Sequence, residues 1–320
     1  MQRIAITGSS GYLGGCLRRY LRRLDPDVAL LGLDRNEPVD PGGHQFVKVD
    51  MTDAAAVTDA LQKFQPDTLV HHAFQVLPMH NETKMRHNNV DGSRNVIEAA
   101  AKVGVKRLCV ASSATAFGGL PDNPVPLDDR DPIRATADFR YAHDKVELET
   151  FLGDFAAQHP EITVSWIRPC IVGGPHWRNY LERALFKAPW MAALDNVDTP
   201  IQLVHEEDVS AATHAILTRN VTGPFNVVPV DSMSQVEMAR LLHKPVLRIS
   251  LSLARKLVWL AWWSYWPFHE YPAGMLNFIR YSWVAAPNRL RNELGFEFKH
   301  TTRDVFDEMV ELTERRKRRR

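Results

Sequence analysis

Cysteine is scarce in this chain, with Cys16, Cys109 and Cys170 the three in 320 residues. Each falls inside a stretch of regular pattern, and their spacing suits no metal site. They read as buried thiols in a reducing compartment. Charge of one sign is lacking too. Lys plus Arg number 39 and Asp plus Glu 38, a net +1, which gives no general pull toward nucleic acid. No apolar run is long enough to span a bilayer, since the longest, after Lys256, covers about 10 residues. Internal repeats and long low-complexity linkers are absent. The first residues already read as strand, leaving no room for a signal peptide, so a cytoplasmic location is expected. His71, His72, His80 and His87 supply no ligand pair at helical spacing with a matching acid, and no metal is expected.

What is present starts at residue 3. Arg3-Ile4-Ala5-Ile6-Thr7 is a short apolar run suited to a buried parallel strand. It enters Gly8-Ser9-Ser10-Gly11-Tyr12-Leu13-Gly14, and a helical pattern follows through Leu17, Tyr20, Leu21 and Leu24. Strand, glycine turn and helix in that order are the setting of a phosphate-binding fingerprint, although G-x-x-G-x-x-G departs from the commoner G-x-G-x-x-G. Gly8 allows the tight turn, Gly11 lets backbone approach a pyrophosphate, and Gly14 lets helix pack on strand. The helix amino terminus then offers unpaired N–H groups to the phosphates.

A second strand, Val28 to Leu33, ends in Asp34, about twenty residues past the glycines. A carboxylate there accepts from ribose hydroxyls and repels a 2′-phosphate, which favours NAD over NADP. Arg35 could instead receive the extra phosphate or cover the adenine. Asp50, after the strand Phe46-Val47-Lys48-Val49, is placed either to reach the adenine amino group or to cap the helix beginning near Thr52-Asp53. Farther on, Tyr141 and Lys145 lie four residues apart and so share one face of a helix. A nearby ammonium favours the phenolate, so the tyrosine pKa should fall from about 10 toward the working range.

Strands are expected near 3–7, 28–33, 46–49, 68–72, 106–111 and 162–167, with helices near 11–24, 53–64, 83–103 and 138–158. This alternation indicates an α/β fold, a doubly wound parallel sheet. Beyond about residue 170 the pattern becomes irregular and richer in proline, arginine and aromatics.

The chain resembles the extended short-chain dehydrogenase/reductases, also called the NAD-dependent epimerase/dehydratase family. The resemblance rests on Thr7 to Gly14, Asp50-Met51-Thr52-Asp53, His71-His72-Ala73, Asn89-Val90-Asp91-Gly92-Ser93 and Ser112 to Gly118. Tyr141 with Lys145, Ile167-Arg168-Pro169 and His205 to Val209 complete it. The resemblance implies a Rossmann domain over residues 1–170 with returning segments near 201–228. Residues 171–320 would then form mainly a smaller substrate-binding lobe and C-terminal helices, ending in the basic tail 315–320. It implies Ser113, Tyr141 and Lys145 as catalytic residues, with Ser112 and Thr115 the alternatives for the serine role. Ser113 would bond the substrate oxygen, Tyr141 would exchange its proton, and Lys145 would lower the tyrosine pKa and hold the nicotinamide ribose. The implied dinucleotide contacts are Gly8, Ser10, Gly11, Tyr12, Leu13, Gly14, Asp34, Arg35, Asp50, Met51, His72, Ala73, Asn89, Lys145, Arg168 and Pro169. Asn89 would pin backbone near the site, or simply start a helix. His205 and Asp208 suit a structural strand-to-helix join. A homodimer through the helices near 83–103 and 138–158 is expected from the same resemblance.

Departures from the family pattern bear on the substrate, which is expected to be a small molecule. Family members acting on nucleotide-sugars usually carry an asparagine after Arg-Pro and an arginine before the strand ending in His-x-x-Asp. These places hold Ile171 and Ile201, and an aliphatic side chain cannot replace a charge-assisted hydrogen bond. The acidic pair of 4,6-dehydratases is missing from Ser113-Ala114-Thr115. The expected function is therefore an NAD-dependent oxidoreductase interconverting a secondary alcohol and a ketone on a fairly apolar or extended substrate. The alternatives are a nucleotide-sugar epimerase, or an NAD-binding sensor or assembly factor without turnover. Between Leu251 and Trp266 lie Trp259, Trp262, Trp263 and Trp266 at helical spacing. Core packing of the lobe is the first reading, a wall of an apolar pocket the second, and contact with a membrane surface the third. The basic tail reads as a solvated, disordered end.

Overall fold

A computed structural model describes residues 1–40, 42, 44–177, 186, 188–264 and 271–318. The first half alternates strand and helix: β1 (Arg3–Thr7), α1 (Tyr12–Leu24), β2 (Ala29–Asp34), β3 (Gln45–Lys48), α2 (Ala54–Phe64) and β4 (Thr68–His71). It continues through α3 (Glu82–Arg86), α4 (Gly92–Lys102), β5 (Arg107–Ala111), α5 (Arg140–Gln158) and β6 (Thr163–Pro169). After that come β7 (Ile171–Gly173), β8 (Met191–Leu194), β9 (Pro200–Ile201), β10 (Leu203–His205), α6 (Glu206–Arg219) and β11 (Gly223–Val227). The last part holds β12 (Met233–Ser234), α7 (Gln235–Leu241), β13 (Val246–Ile249), α8 (Leu251–Trp263), α9 (Asn277–Arg280), α10 (Asn288–Leu294) and α11 (Thr302–Arg318).

Seven strands form one parallel sheet in the order β11-β6-β5-β4-β1-β2-β3. The chain winds outward one way from β1 through β2 to β3, then restarts on the other side at β4. The order therefore reverses between β1 and β4, and the crevice beyond the carboxyl ends of these strands is where such sheets bind ligands. Both faces are covered, which is why the strands read as continuous apolar runs rather than alternating ones. Leu17 and Leu21 of α1, Ile216 of α6 and Phe117 pack on one side. Val57 and Leu61 of α2, Val96 and Ile97 of α4, and Leu148 and Leu152 of α5 pack on the other. A separate cluster of Trp177, Met191, Leu203, Met233, Met238, Phe306 and Met309 consolidates the C-terminal part. All three cysteines are free and buried.

Three elements differ from the sequence reading. The helix expected over 83–103 is broken by a π turn, His87–Asp91, between α3 and α4. Its extra residue per turn is held by Asn89, whose side chain is committed elsewhere, as described below. Residues 315–318 are the last turn of α11 rather than a disordered end. A pair of Arg315 with Glu311 (2.5 Å) and the preference of cations for a helix carboxyl end account for this. Arg319 and Arg320 lie outside the described residues.

The third correction concerns α8. Only Ala254 of this helix is buried, while Leu253, Leu257, Trp259, Leu260 and Trp263 are between 48% and 66% exposed. Core packing is thus not the role of Trp259 and Trp263. Tyr265 and Trp266 lie outside the described residues. Among the described residues, no helix is long and apolar enough to cross a membrane.

Candidate active site

The turn after β1 is shaped by two close approaches. Gly8 has φ +67°, and a Cβ there would stand 2.6 Å from the Ala73 amide nitrogen. At Gly14 a Cβ would collide with the Gly8 carbonyl. Only glycine lets β1, the β4 end and α1 come this close. The N-cap of α1 is Gly11, which offers no side-chain acceptor, so the first N–H groups of the helix stay available to an anion. Asp34 at the end of β2 accepts from the Ser10 N–H (3.1 Å) and the Asn36 N–H (3.0 Å), which fixes its carboxylate beside the loop. Arg35 stands 3.9 Å from Asp50, both about half exposed. Asp50 caps no helix: it bonds the Thr52 N–H and hydroxyl, while Asp53 caps α2 through the Ala56 N–H.

One cavity of ≈ 1160 Å³ runs from this loop to the end of β5. Gly8, Ser10, Gly11, Tyr12, Leu13, Gly14, Asp34, Arg35, Asp50, Met51, His72, Ala73, Ser113, Tyr141 and Pro169 all line it. Residues scattered over 160 positions of chain thus meet at the switch point of the sheet. Three expected contacts do not reach the wall: Asn89, Lys145 and Arg168 are buried behind it.

Each of the three has a physical reason. Asn89 accepts from the Gln75 N–H (2.7 Å) and donates to the Gln75 carbonyl (3.2 Å) and to Asp144 (2.9 Å). It therefore ties the cavity-lining segment after β4 to α5. Arg168 donates to Glu149 through Nε (2.9 Å) and Nη2 (2.5 Å) and to the Asp129 carbonyl (2.8 Å). Glu149 also accepts from Ser112 (2.5 Å) and the Trp166 indole (2.7 Å). This buried pair braces β6 against α5, one layer below the cavity.

Lys145, one turn after Tyr141 on α5, donates to the Ala111 carbonyl at 2.6 Å. Its ammonium lies 3.3 Å from the centre of the Phe74 ring and 5.6 Å from that of Tyr141. Phe74 meets Tyr141 edge-on at 5.6 Å and lines the cavity, so it stands between Lys145 and the open space. Sequence reasoning missed Phe74, Glu149 and Asp144. Phe74 follows directly on His71-His72-Ala73, and its place after the strand end was the available signal. Nothing in the sequence pairs Glu149 with Arg168.

Ser113 follows β5 and caps a short 3-10 turn, Ala114–Phe117, accepting from the Thr115 N–H at 3.2 Å. Contrary to the expected lowering, the Tyr141 phenol is pushed up to about 12 by burial, which outweighs the lowering influence of the nearby Ser113 hydroxyl. Burial likewise brings Lys145 down to about 7, against the pull of Glu149 and Asp144. His71, bonded to Thr7 (2.6 Å) and Ser93 (2.8 Å), is held down to about 3 by burial and by the charge of Lys145.

The isoleucine positions separate. Both Ile171 and Ile201 pack against the C-terminal cluster, but Ile171, with Val172, also lines the cavity and Ile201 does not. His205 caps α6 by accepting from the Glu207 N–H (3.1 Å), and Asp208 accepts from the Lys299 and His300 N–H groups (both 3.1 Å). Among the described residues one group has metal-ligand spacing, Cys16, His176 and Glu206, within 4.8 Å. Tyr12 and His176 already engage that carboxylate, and Arg19 donates to the thiol.

Comparison with known proteins follows the same outline. The model of the NAD dependent epimerase/dehydratase family matches residues 4–228. An uncharacterized protein of Mycobacterium tuberculosis is 23% identical over 315 residues, covering 95% of this chain and 82% of its own. Sterol-4-alpha-carboxylate 3-dehydrogenase, decarboxylating, of Candida albicans is 35% identical over 125 residues, 36% of this chain and 35% of its own. Among solved structures, the Bordetella bronchiseptica enzyme WbmG in complex with NAD and UDP superposes with a TM-score of 0.75 at 23% identity, covering 98% of this chain and 94% of the other.

Proposed function

This chain belongs to the NAD dependent epimerase/dehydratase family, and from that premise we propose that it is an NAD-dependent oxidoreductase interconverting a secondary alcohol and a ketone on an apolar or extended substrate. The observation that carries the reading is the convergence of Ser113, Tyr141 and the anion-ready turn of Gly8, Gly11 and Gly14 on one cavity. The residues fit a dinucleotide: a helix amino terminus with no side-chain cap, glycines that admit close backbone approach, and an acid fixed at the end of β2. Gly11 to Gly14 would hold its pyrophosphate and Asp34 its adenosine ribose, and the nicotinamide ring would supply the hydride acceptor or donor.

The remaining chemistry falls to side chains. The Ser113 hydroxyl donates to the substrate oxygen and holds it beside the Tyr141 phenol. With its pKa near about 12, Tyr141 keeps its proton at neutral pH and is set to give it to a carbonyl oxygen. Taking a proton from an alcohol requires positive charge nearby, which is the task assigned to Lys145 in its protonated form. Phe74 excludes water from that pair and holds the ammonium over its ring face.

An apolar substrate is favoured by the wall near Tyr141. Phe74 touches Tyr141, while Trp283 packs on Phe278, which packs on Phe139 beside Tyr141. Ile171, Val172 and Trp283 complete the lining there. A nucleotide-sugar epimerase is the second reading, favoured by Arg316, a cation that lines the cavity.

The test is thermal unfolding with NAD, NADP, UDP-glucose and a set of sterol and acyl-chain alcohols, followed by turnover with whatever stabilises. Stabilisation by NAD plus an apolar alcohol, with turnover lost in Tyr141→Phe and Ser113→Ala, is the expected result. Stabilisation by UDP-glucose on top of NAD would give the lead to the epimerase, and unchanged turnover in Ser113→Ala would remove that residue from the mechanism.

A further inference from the structure

Among the described residues, the outer face of α8 has no partner. At 100° per residue, Leu253, Leu257 and Leu260 form one row and Trp259 and Trp263 a second, with Lys256 between them. All five apolar side chains are half exposed or more open than that, and the two indoles stack at 6.2 Å. The opposite side carries the contacts that fix the helix. Ala254 is buried, Trp262 stacks on His80 at 3.7 Å, and Arg255 reaches Asp138 at 3.8 Å. The apolar rows are therefore turned outward by the way the helix is anchored.

Charge says what such a face meets. The chain as a whole is balanced, yet from Met238 to Ser264 it has Arg240, Lys244, Arg248, Arg255 and Lys256 and no acid. Two copies stacked face to face would bring like charges together with no carboxylate on either helix to pair them. An anionic lipid surface supplies the opposite sign. It also suits tryptophan, whose ring settles at the headgroup level, and Lys256, whose stem can lie along apolar surface while its ammonium reaches phosphate. A helix of 13 residues is too short to span a bilayer and suited to lying in its interface.

We propose that α8 docks the protein on an anionic membrane surface through Leu253, Leu257, Leu260, Trp259 and Trp263, with Lys256 meeting lipid headgroups. The inference is independent of the reaction assigned above. Its anchoring is close to the cavity all the same: His80 ends the stretch whose residues 72–77 line the wall, and Asp138 lies three residues before Tyr141.

The experiment uses the full chain with vesicles of mixed phosphatidylglycerol and phosphatidylcholine, and with phosphatidylcholine alone. Co-sedimentation with the mixed vesicles is expected, weaker at high salt. It should fall about tenfold in a Trp259→Ser/Trp263→Ser chain and severalfold in Lys256→Glu. A chain lacking residues 315–320 should bind like the full one, which separates the helix from the basic tail. Leu257→Ser/Leu260→Ser is the second variant should the tryptophan pair fold poorly. Absence of binding, equal binding to both vesicle types, indifference to the α8 changes, or loss with the tail alone would each overturn the proposal. Sedimentation without lipid covers the remaining case: a dimer that the tryptophan changes convert to monomer would make this face a subunit contact and end the lipid reading.

Discussion

Replacing Glu149 by glutamine tests whether Arg168 is a brace or a ligand contact. The two side chains are 5% exposed or less, and Glu149 is the carboxylate that balances the guanidinium. Glutamine keeps the shape and one acceptor but leaves a positive charge buried without its counter-ion. Removing one partner of such a pair costs about 3–5 kcal/mol. With an unfolding entropy of about 2.1 cal/mol/K per residue, a chain of this length loses about 1.5 °C per kcal/mol, so the unfolding temperature should drop by roughly 4–8 °C. Arg168→Met should cost a similar amount, since Glu149 then stays charged among neutral donors. Glu149→Gln combined with Arg168→Met should cost less than the two single changes together, by about 2 kcal/mol or more, because neither charge is left stranded. Calorimetry of the four chains measures this cycle. NAD titration of the folded variants should show affinity within about threefold of the parent, under about 0.7 kcal/mol, because Arg168 does not reach the cavity. An Arg168→Met chain that unfolds at the parent temperature but loses NAD would refute the reasoning.

Acid should weaken the fold through His71 and His72, held down to about 3 and about 4 by burial and by Lys145. Both values lie below the free imidazole value of about 6.5, so between pH 6.5 and about 4 the unfolded chain binds protons that the folded chain refuses, and stability falls as pH is lowered through that window. Urea midpoints at pH 7.5 and 5 check this, with a smaller drop expected in His72→Gln; equal midpoints would contradict it. Gly14→Ala, whose Cβ would collide with backbone, should destabilise by about 1–3 kcal/mol. Gly11→Ala, whose Cβ meets only the Gly8 carbonyl at 3.1 Å, should change stability by under about 1 kcal/mol while weakening NAD about tenfold or more; calorimetry and titration on the same samples separate the two. Asp34→Ser should narrow the preference for NAD over NADP about tenfold or more by removing the carboxylate that repels a 2′-phosphate. A preference ratio unchanged in paired dissociation constants would shift discrimination to Arg35.

Sequence by itself determined the parallel sheet and the place of the cavity. Those features are written in local code: an apolar run of five residues makes β1, glycines 8, 11 and 14 make its turn, and the 3.6-residue period makes α1 and α5. Tyr141 and Lys145 were legible for the same reason, since four residues is one helical turn. What only the tertiary structure decided depends on residues far apart in the chain. The direction of the Tyr141 pKa is one case, because the ammonium was visible in sequence while the depth of burial that outweighs it was not. Arg168 is another: it stands at the carboxyl end of β6, but Glu149 on α5 turns it inward. Helical periodicity showed that the tryptophans of α8 share a helix and could not show which side is covered. That was settled by three anchors, Ala254, the stack of Trp262 on His80 and the pair of Arg255 with Asp138. The period of a helix fixes which side chains travel together, and only the contacts of its inner face fix where they point.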